Sequence, residues 1–183
     1  MIAGVFGGRR LQTPPGQGTR PTSDRVREAL FSTLDSLTHL DGARVADLYA
    51  GSGAVGLEAA SRGAVHVTLV ESAPAAARAV RANIAALGVG EIATLVATTV
   101  ERAVAAPPAG PYDVIFADPP YDLTDAGLAS VLAAIGANGW LAVDGLLVVE
   151  RSTRSPEPTW PDVVTPGRGR RYGETTLWYG RRS

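Results

Sequence analysis

The chain has 183 residues, 45% apolar and 19% charged, enough for one buried core without staples, and its lack of cysteine excludes disulfides, thiolate metal sites and a thiol nucleophile. The net charge of −1 is unevenly spread: residues 1–27 and 151–183 carry +4 each, while residues 45–150 carry −7, and every basic residue is arginine. His39 and His66 lie far apart and make a histidine zinc site a poor reading, and with neither an apolar run near the roughly 20 residues that cross a bilayer nor a signal-peptide start, a cytoplasmic protein is expected.

In chain order, residues 2–6 and 9–11 read as a short hairpin turning at Gly7-Gly8, followed by a Pro- and Gly-rich loop over 13–21. A helix capped by Thr22 or Ser23 follows, with Val26, Leu30, Leu34 and Leu37 on one stripe. Beyond Gly42 strands and helices alternate. Strands are expected at 44–49, 65–70, 92–96, 114–117 and 146–150, with helices at 55–62, 74–87, 100–105 and 126–137. Pro74 stands in the first turn of the second of these helices and Gly88 just past its end. Val163-Val164 and residues 175–179 close the chain as strands, with an antiparallel pair around Tyr172-Gly173. Such alternation predicts an α/β fold: an open, mostly parallel sheet with helices on both faces, ligands binding at the strands' carboxyl ends.

The first strand runs into Asp47-Leu48-Tyr49-Ala50-Gly51-Ser52-Gly53-Ala54-Val55-Gly56, a G-x-G-x-x-G loop in strand-loop-helix context. Glycines give a tight turn and let a ligand approach the backbone. Glu71 ends the next strand twenty residues after Gly51, where a carboxylate can bind both ribose hydroxyls of an adenosine. An adenosine cofactor is therefore expected, contacted by Asp47, Tyr49, Ala50, Gly51, Ser52, Gly53, Glu71 and the cap residue Thr22. The glycines leave its identity open. Asp47 favours S-adenosylmethionine, because a carboxylate repels the phosphates of a dinucleotide and attracts an ammonium and a sulfonium; a plain loop-ordering role for Asp47 is the alternative.

The fourth strand enters Asp118-Pro119-Pro120-Tyr121 directly. The two prolines restrict the backbone and hold Asp118 extended, so a carboxylate, the Pro119 carbonyl and an aromatic ring stand together. That set suits methylation of a base's exocyclic amine, a poor nucleophile because its lone pair is delocalised into the ring. Two acceptors can bind its two N–H groups and draw the nitrogen towards tetrahedral geometry, while Tyr121 stacks on the base for about 1–3 kcal/mol. The base must be unpaired or flipped out to enter. Asp118, Pro119, Pro120 and Tyr121 are the expected catalytic set, with no metal.

Residues 47–56 with 118–121, in that order, resemble the class I methyltransferases of base amino nitrogens. The run Gly16-Gln17-Gly18-Thr19-Arg20-Pro21-Thr22-Ser23-Asp24-Arg25-Val26-Arg27-Glu28-Ala29-Leu30-Phe31, with residues 51–64, Arg9-Arg10-Leu11 and Arg171-Tyr172-Gly173-Glu174-Thr175, resembles the bacterial RsmD family. That family methylates N2 of one guanine in 16S ribosomal RNA with S-adenosylmethionine. The resemblance implies a Rossmann-like, seven-stranded methyltransferase sheet over 23–183, and residues 1–22 as an RNA-contacting hairpin extension. It also implies 16S rRNA, in the small ribosomal subunit, as partner; no membrane contact and a monomer are expected. Two departures stand out. Ala97-Thr98-Thr99 offers no acid to the adenine after the third strand, and Arg44-Val45-Ala46 is a lightly built first strand.

Arginine pairs with phosphates through forked bonds and stacks on bases, so Arg9, Arg10, Arg20, Arg25, Arg27, Arg168, Arg170 and Arg171 are candidate RNA contacts around the pocket mouth; Arg20, Arg25 and Arg27 are equally placed to hold the cofactor carboxylate. Glu58 and Asn83 read as structural. The competing readings are a DNA adenine-N6 methyltransferase, which 183 residues leave little room for, a nicotinamide oxidoreductase, opposed by Asp47, and a non-catalytic RNA-binding assembly factor.

Overall fold

The computed structural model describes residues 1–14 and 24–183; Arg20 and Thr22 lie outside them. A 3-10 turn at Gly4–Phe6 precedes α1 (Asp24–Leu37), β1 (Arg44–Leu48), α2 (Ala54–Ser61), β2 (His66–Val70), α3 (Pro74–Leu87) and β3 (Ala93–Val96). Then come α4 (Val100–Val104), β4 (Tyr112–Ala117), α5 (Asp125–Ala137), β5 (Leu141–Ser152), β6 (Val164–Pro166), β7 (Arg170–Tyr172) and β8 (Thr175–Arg182). No helix among the described residues is long and apolar enough to cross a membrane.

The sheet runs β3-β2-β1-β4-β5-β8-β6, with β7 pairing β8. Strands β1 to β5 pair in parallel and β8 runs antiparallel to β5, β6 and β7. The seven strands on that path are the expected seven; β7 is an eighth, a three-residue arm folded back at Gly173, φ +61°. Both faces are covered, which explains why β5 carries Leu147, Val148 and Val149 consecutively, all 0% exposed. One core joins Leu30, Phe31 and Leu34 of α1 with Leu57 and Val80 beneath β1, β4 and β5; the other joins Leu128, Leu132 and Ile135 of α5 with Ile115, Leu147 and Val149. Burying each such side chain contributes about 1.5–3 kcal/mol. The light first strand is what the packing needs, since Ala46 is wholly buried.

The N-terminal hairpin does not form. The amides that would pair across it go instead to side chains of α2: Ile2 and Ala3 N–H donate to the two oxygens of Glu58 at 2.8 and 2.9 Å, and Phe6 N–H to Ser61 Oγ at 2.9 Å. Gly4, at φ +76°, fits so closely that a Cβ there would lie 1.9 Å from the Ser61 carbonyl oxygen. Glu58, 0% exposed, also accepts from Arg62 Nε at 3.0 Å. The buried carboxyl is thus satisfied by Arg62 and by the two amides through which the first residues dock on α2. Strand β5 is longer than expected, beginning at Leu141 with an irregularity in its pairing to β4 between Tyr112 and Val114.

Candidate active site

The loop after β1 is strained and tied down from three sides. Tyr49 (φ +65°), Gly51 (φ +58°) and Gly53 (φ +82°) all take left-handed backbone, a cost of the order of 1–3 kcal/mol for the tyrosine. Gly56 allows α2 to close on β1 and β2: a Cβ there would meet Leu69 Cδ2 at 2.9 Å and Asp47 Cβ at 3.1 Å. A Cβ at Gly51 would meet nothing within 4 Å, so the loop's own tip faces open space. The open, glycine-lined tip suits a ligand held against backbone amides.

Three side chains hold this loop. Glu71 Oε2 accepts from Gly51 N–H at 2.8 Å and Oε1 from Ala73 N–H at 2.7 Å. Each oxygen retains a second lone pair for a ribose hydroxyl. Asp47, 2% exposed, turns one oxygen back onto the start of α2, where Oδ2 accepts from Gly56 N–H at 2.8 Å. The loop-ordering role is therefore present in the geometry. Asn83, 1% exposed, bridges two segments: its Nδ2 donates to Ser52 O at 2.9 Å and Gln12 O at 3.0 Å, and its Oδ1 accepts from Gln12 N–H at 2.7 Å. The cofactor loop and the N-terminal segment thus share one buried amide.

Burial pushes the Asp47 carboxyl up to about 7, the Gly56 hydrogen bond opposing the rise and the Glu71 charge adding to it. A carboxyl raised in the folded state stabilises the fold fully below its unfolded value near 4, and that stability is lost as pH rises through about 7. Asp47→Asn keeps an acceptor for Gly56 and carries no charge. Its melting temperature should match wild type near pH 4 and exceed it at pH 8, by up to about 4 kcal/mol in stability. Parallel melting curves for the two proteins from pH 4 to 8 would contradict this.

Tyr49 differs from expectation. Its ring packs with the α4–α5 core and its hydroxyl is buried without a hydrogen-bond partner among the described residues. Burial, then the Glu101 charge, raise its pKa and keep it protonated; only its backbone belongs to the loop. Ala50 is 8% exposed and belongs to the core under α1–α3. Beyond β3, Thr99 Oγ1 caps α4 by accepting from Arg102 N–H at 3.3 Å.

On the adjacent strand, β4 delivers Asp118, Pro119, Pro120 and Tyr121 beside β1, with Asp118 N–H donating to Leu48 O at 3.4 Å. Pro119 is buried and Tyr121 is 74% exposed, an aromatic face presented to solvent. A pocket opens here, lined by Asp118, Pro119, Tyr121, Glu150, Arg151, Ser152, Ser155 and Thr175. The last five were missed in the sequence, since β5, the turn that follows it and β8 come to the site only through the pairing of distant strands. Arg151 fixes the segment after the tetrapeptide: its Nη2 donates to Asp125 Oδ1 at 2.8 Å and Leu123 O at 3.4 Å, while Leu123 N–H donates to Pro120 O at 3.0 Å.

The arginines divide. Arg168, Arg170 and Arg171 are exposed, and the last two stand on β7, whose partner β8 begins with the pocket residue Thr175. Arg171 also reaches Thr153 O at 3.4 Å, beside the exposed Arg154. Arg25 is exposed at the start of α1, but Arg27 is 7% exposed with Nη2 on Asp24 Oδ1 at 2.6 Å, which removes it from the solvent-facing set. It sits among Val26, Leu30 and Phe31 on the buried side of α1. Arg9 donates to Ala86 O at 2.8 Å on the last turn of α3, the end of that helix farther from the strands' carboxyl ends. It therefore lies away from the pocket mouth, not beside it; Arg10 next to it is exposed.

Residues 1–181 match the model of a family described as conserved hypothetical protein 95. The ribosomal RNA small subunit methyltransferase D of Escherichia coli K12 is 37% identical over 161 residues, covering 88% of this chain and 78% of its own length. The solved structure of the Escherichia coli protein yhhF, assigned as a methyltransferase, covers all of this chain and 97% of its own at 34% identity and TM-score 0.88. Magnesium protoporphyrin IX methyltransferase from Synechocystis, solved with S-adenosylmethionine bound, is 13% identical at TM-score 0.67, covering 87% of this chain and 79% of its own. At that identity the likeness is one of fold.

Proposed function

Since the chain belongs to the conserved hypothetical protein 95 family, the RsmD family of small-subunit ribosomal RNA methyltransferases, we propose that it uses S-adenosylmethionine to methylate the exocyclic N2 of a guanine in 16S rRNA. The observation that carries the reading is the joining of two features in one sheet: the Glu71-braced glycine loop after β1, and the Asp118–Tyr121 segment in the pocket beside it. The open tip at Gly51, the doubly hydrogen-bonded Glu71 carboxylate and the buried acid Asp47 fit an adenosine ligand bearing positive rather than phosphate charge. Gly51, Ser52, Gly53 and Glu71 would hold it, and when bound it supplies an electrophilic methyl group.

The chain's own residues prepare the nucleophile. Asp118 and the Pro119 carbonyl accept the two N–H groups of the amine and aim its lone pair. Tyr121 supplies a stacking face, and the Asp118 carboxylate stands where the nitrogen sheds a proton after transfer. Rate enhancement comes from positioning and exclusion of water. Incubating the protein with labelled donor and small ribosomal subunits, naked 16S rRNA or duplex DNA tests this: label should enter the rRNA. Label in the DNA alone would favour the adenine-N6 alternative, and none in any would favour the non-catalytic one.

The RNA-binding face consists of Arg168, Arg170 and Arg171, with Arg154 and Arg25. Each phosphate contact steepens the slope of log affinity against log salt by about 0.7–0.9. Replacing Arg170 and Arg171 by alanine should flatten that slope by roughly one to two units with donor affinity unchanged. The Arg9/Arg10 double variant should change it less, because Arg9 is held on the far end of α3. The reverse ranking would move the RNA face to the N-terminal segment.

A further inference from the structure

We propose that Glu150 selects guanine at this site by accepting the N1–H of the base whose N2 amine meets Asp118 and Pro119, an inference that rests on the methyltransferase reading above. Strands β4 and β5 run parallel and in register up to Ala117↔Val149, so Asp118 and Glu150 are the next residues along the two neighbouring chains, whose spacing within a sheet is about 4.8 Å. Two residues earlier, Phe116 and Val148 share the core under α1–α3. Alternation places Asp118 and Glu150 side by side on that same face, and both line the pocket with Pro119 and Tyr121.

The chemistry of base edges decides what such a pair reads. Guanine presents N1–H and the N2 amine as neighbouring donors on one edge. Adenine and cytosine each set an amine beside a ring nitrogen that is an acceptor. A row of acceptors matches guanine alone; against adenine, Glu150 would face a lone pair with a lone pair. A site built to bond an N–H rejects an analogue lacking it, because its own polar group is then left unpaired. Arg151 is committed to Asp125 and Leu123, and the hydroxyls of Ser152, Ser155 and Thr175 serve as donors or acceptors alike, so Glu150 sets the sign of the pattern. A carboxylate has about four lone-pair sites, so this role adds to the contacts Glu150 makes within the protein.

The test uses the full chain with labelled donor and 16S rRNA carrying either guanine or 2-aminopurine at the methylated position, located beforehand by nucleoside mass spectrometry. 2-Aminopurine keeps the amine but presents an acceptor at N1. Wild type should prefer guanine by roughly 10- to 100-fold in kcat/KM, the discrimination carried by one good hydrogen-bond pair to a base. Glu150→Gln, whose amide can donate to N1, should narrow that preference at least about tenfold with donor affinity unchanged. An unchanged ratio in the variant would overturn the proposal. So would a wild-type enzyme indifferent to the two bases, a comparison that stands even where the variant does not fold. Absence of N2-methylguanosine from the wild-type product would overturn the proposal together with the reading beneath it, and so is distinguishable from failure of the Glu150 assignment alone.

Discussion

Asp118→Ala should reduce methyl transfer by on the order of 10²- to 10³-fold, the usual cost of removing one preorganised group that stabilises developing charge, while S-adenosylmethionine binds with nearly unchanged affinity. The separation follows from the sheet. Asp118 leaves β4 into the pocket shared with Tyr121, Glu150 and Thr175, whereas the cofactor loop is braced by Glu71, Asp47 and Asn83. The substitution leaves the apolar run of β4 untouched, so its melting temperature should stay close to wild type. Calorimetry with the donor beside a transfer assay measures both halves. Near-normal turnover would end the proposed mechanism; lost donor binding would place Asp118 in the cofactor site instead.

The second large effect concerns the cofactor. S-adenosylmethionine at about 100 times its dissociation constant should stabilise the fold by about 2.7 kcal/mol, a rise of roughly 5–10 °C in Tm for a chain of this size. NAD at the same concentration should give no shift, since its pyrophosphate would lie near the Glu71 carboxylate. Glu71→Ala removes the acceptor that holds Gly51 and Ala73 N–H at 2.8 and 2.7 Å and offers lone pairs to the ribose. Hydrogen bonds to a charged group are worth about 1.5–3 kcal/mol, so donor affinity should fall roughly 10- to 100-fold. A shift with NAD and none with the methyl donor would reverse the assignment.

Local signals located the elements that local physics dictates. Helix α3 begins at Pro74 and ends before Gly88, at φ +69°, because fixed φ suits the first helical turn and only glycine is at ease in the left-handed cap. The apolar run of β4 and its proline-locked exit were legible for the same reason. Contacts between distant residues were not. Nothing between Ile2 and Leu11 indicates that its amides are claimed by Glu58 and Ser61, more than fifty residues on, so Gly7-Gly8 read as a hairpin turn. Asn83 showed no task because Gln12 and Ser52, which it joins, are 71 and 31 residues away. Glu150 reads as the polar end of a strand; that it lines the pocket with Asp118 depends on the pairing of β5 with β4. A signal for Arg27 was available: it follows Val26 and lies four residues before Phe31, within the apolar stripe of α1.

The most direct measurement is the identity of the methylated nucleoside in small-subunit RNA exposed to the protein and labelled donor, digested and resolved by mass spectrometry. The paired acceptors at Asp118 and Pro119, with Glu150 beside them, predict a single labelled species, N2-methylguanosine, absent from the Asp118→Ala reaction. Label recovered as N6-methyladenosine, or as any base methylated on a ring atom rather than an exocyclic amine, would contradict it.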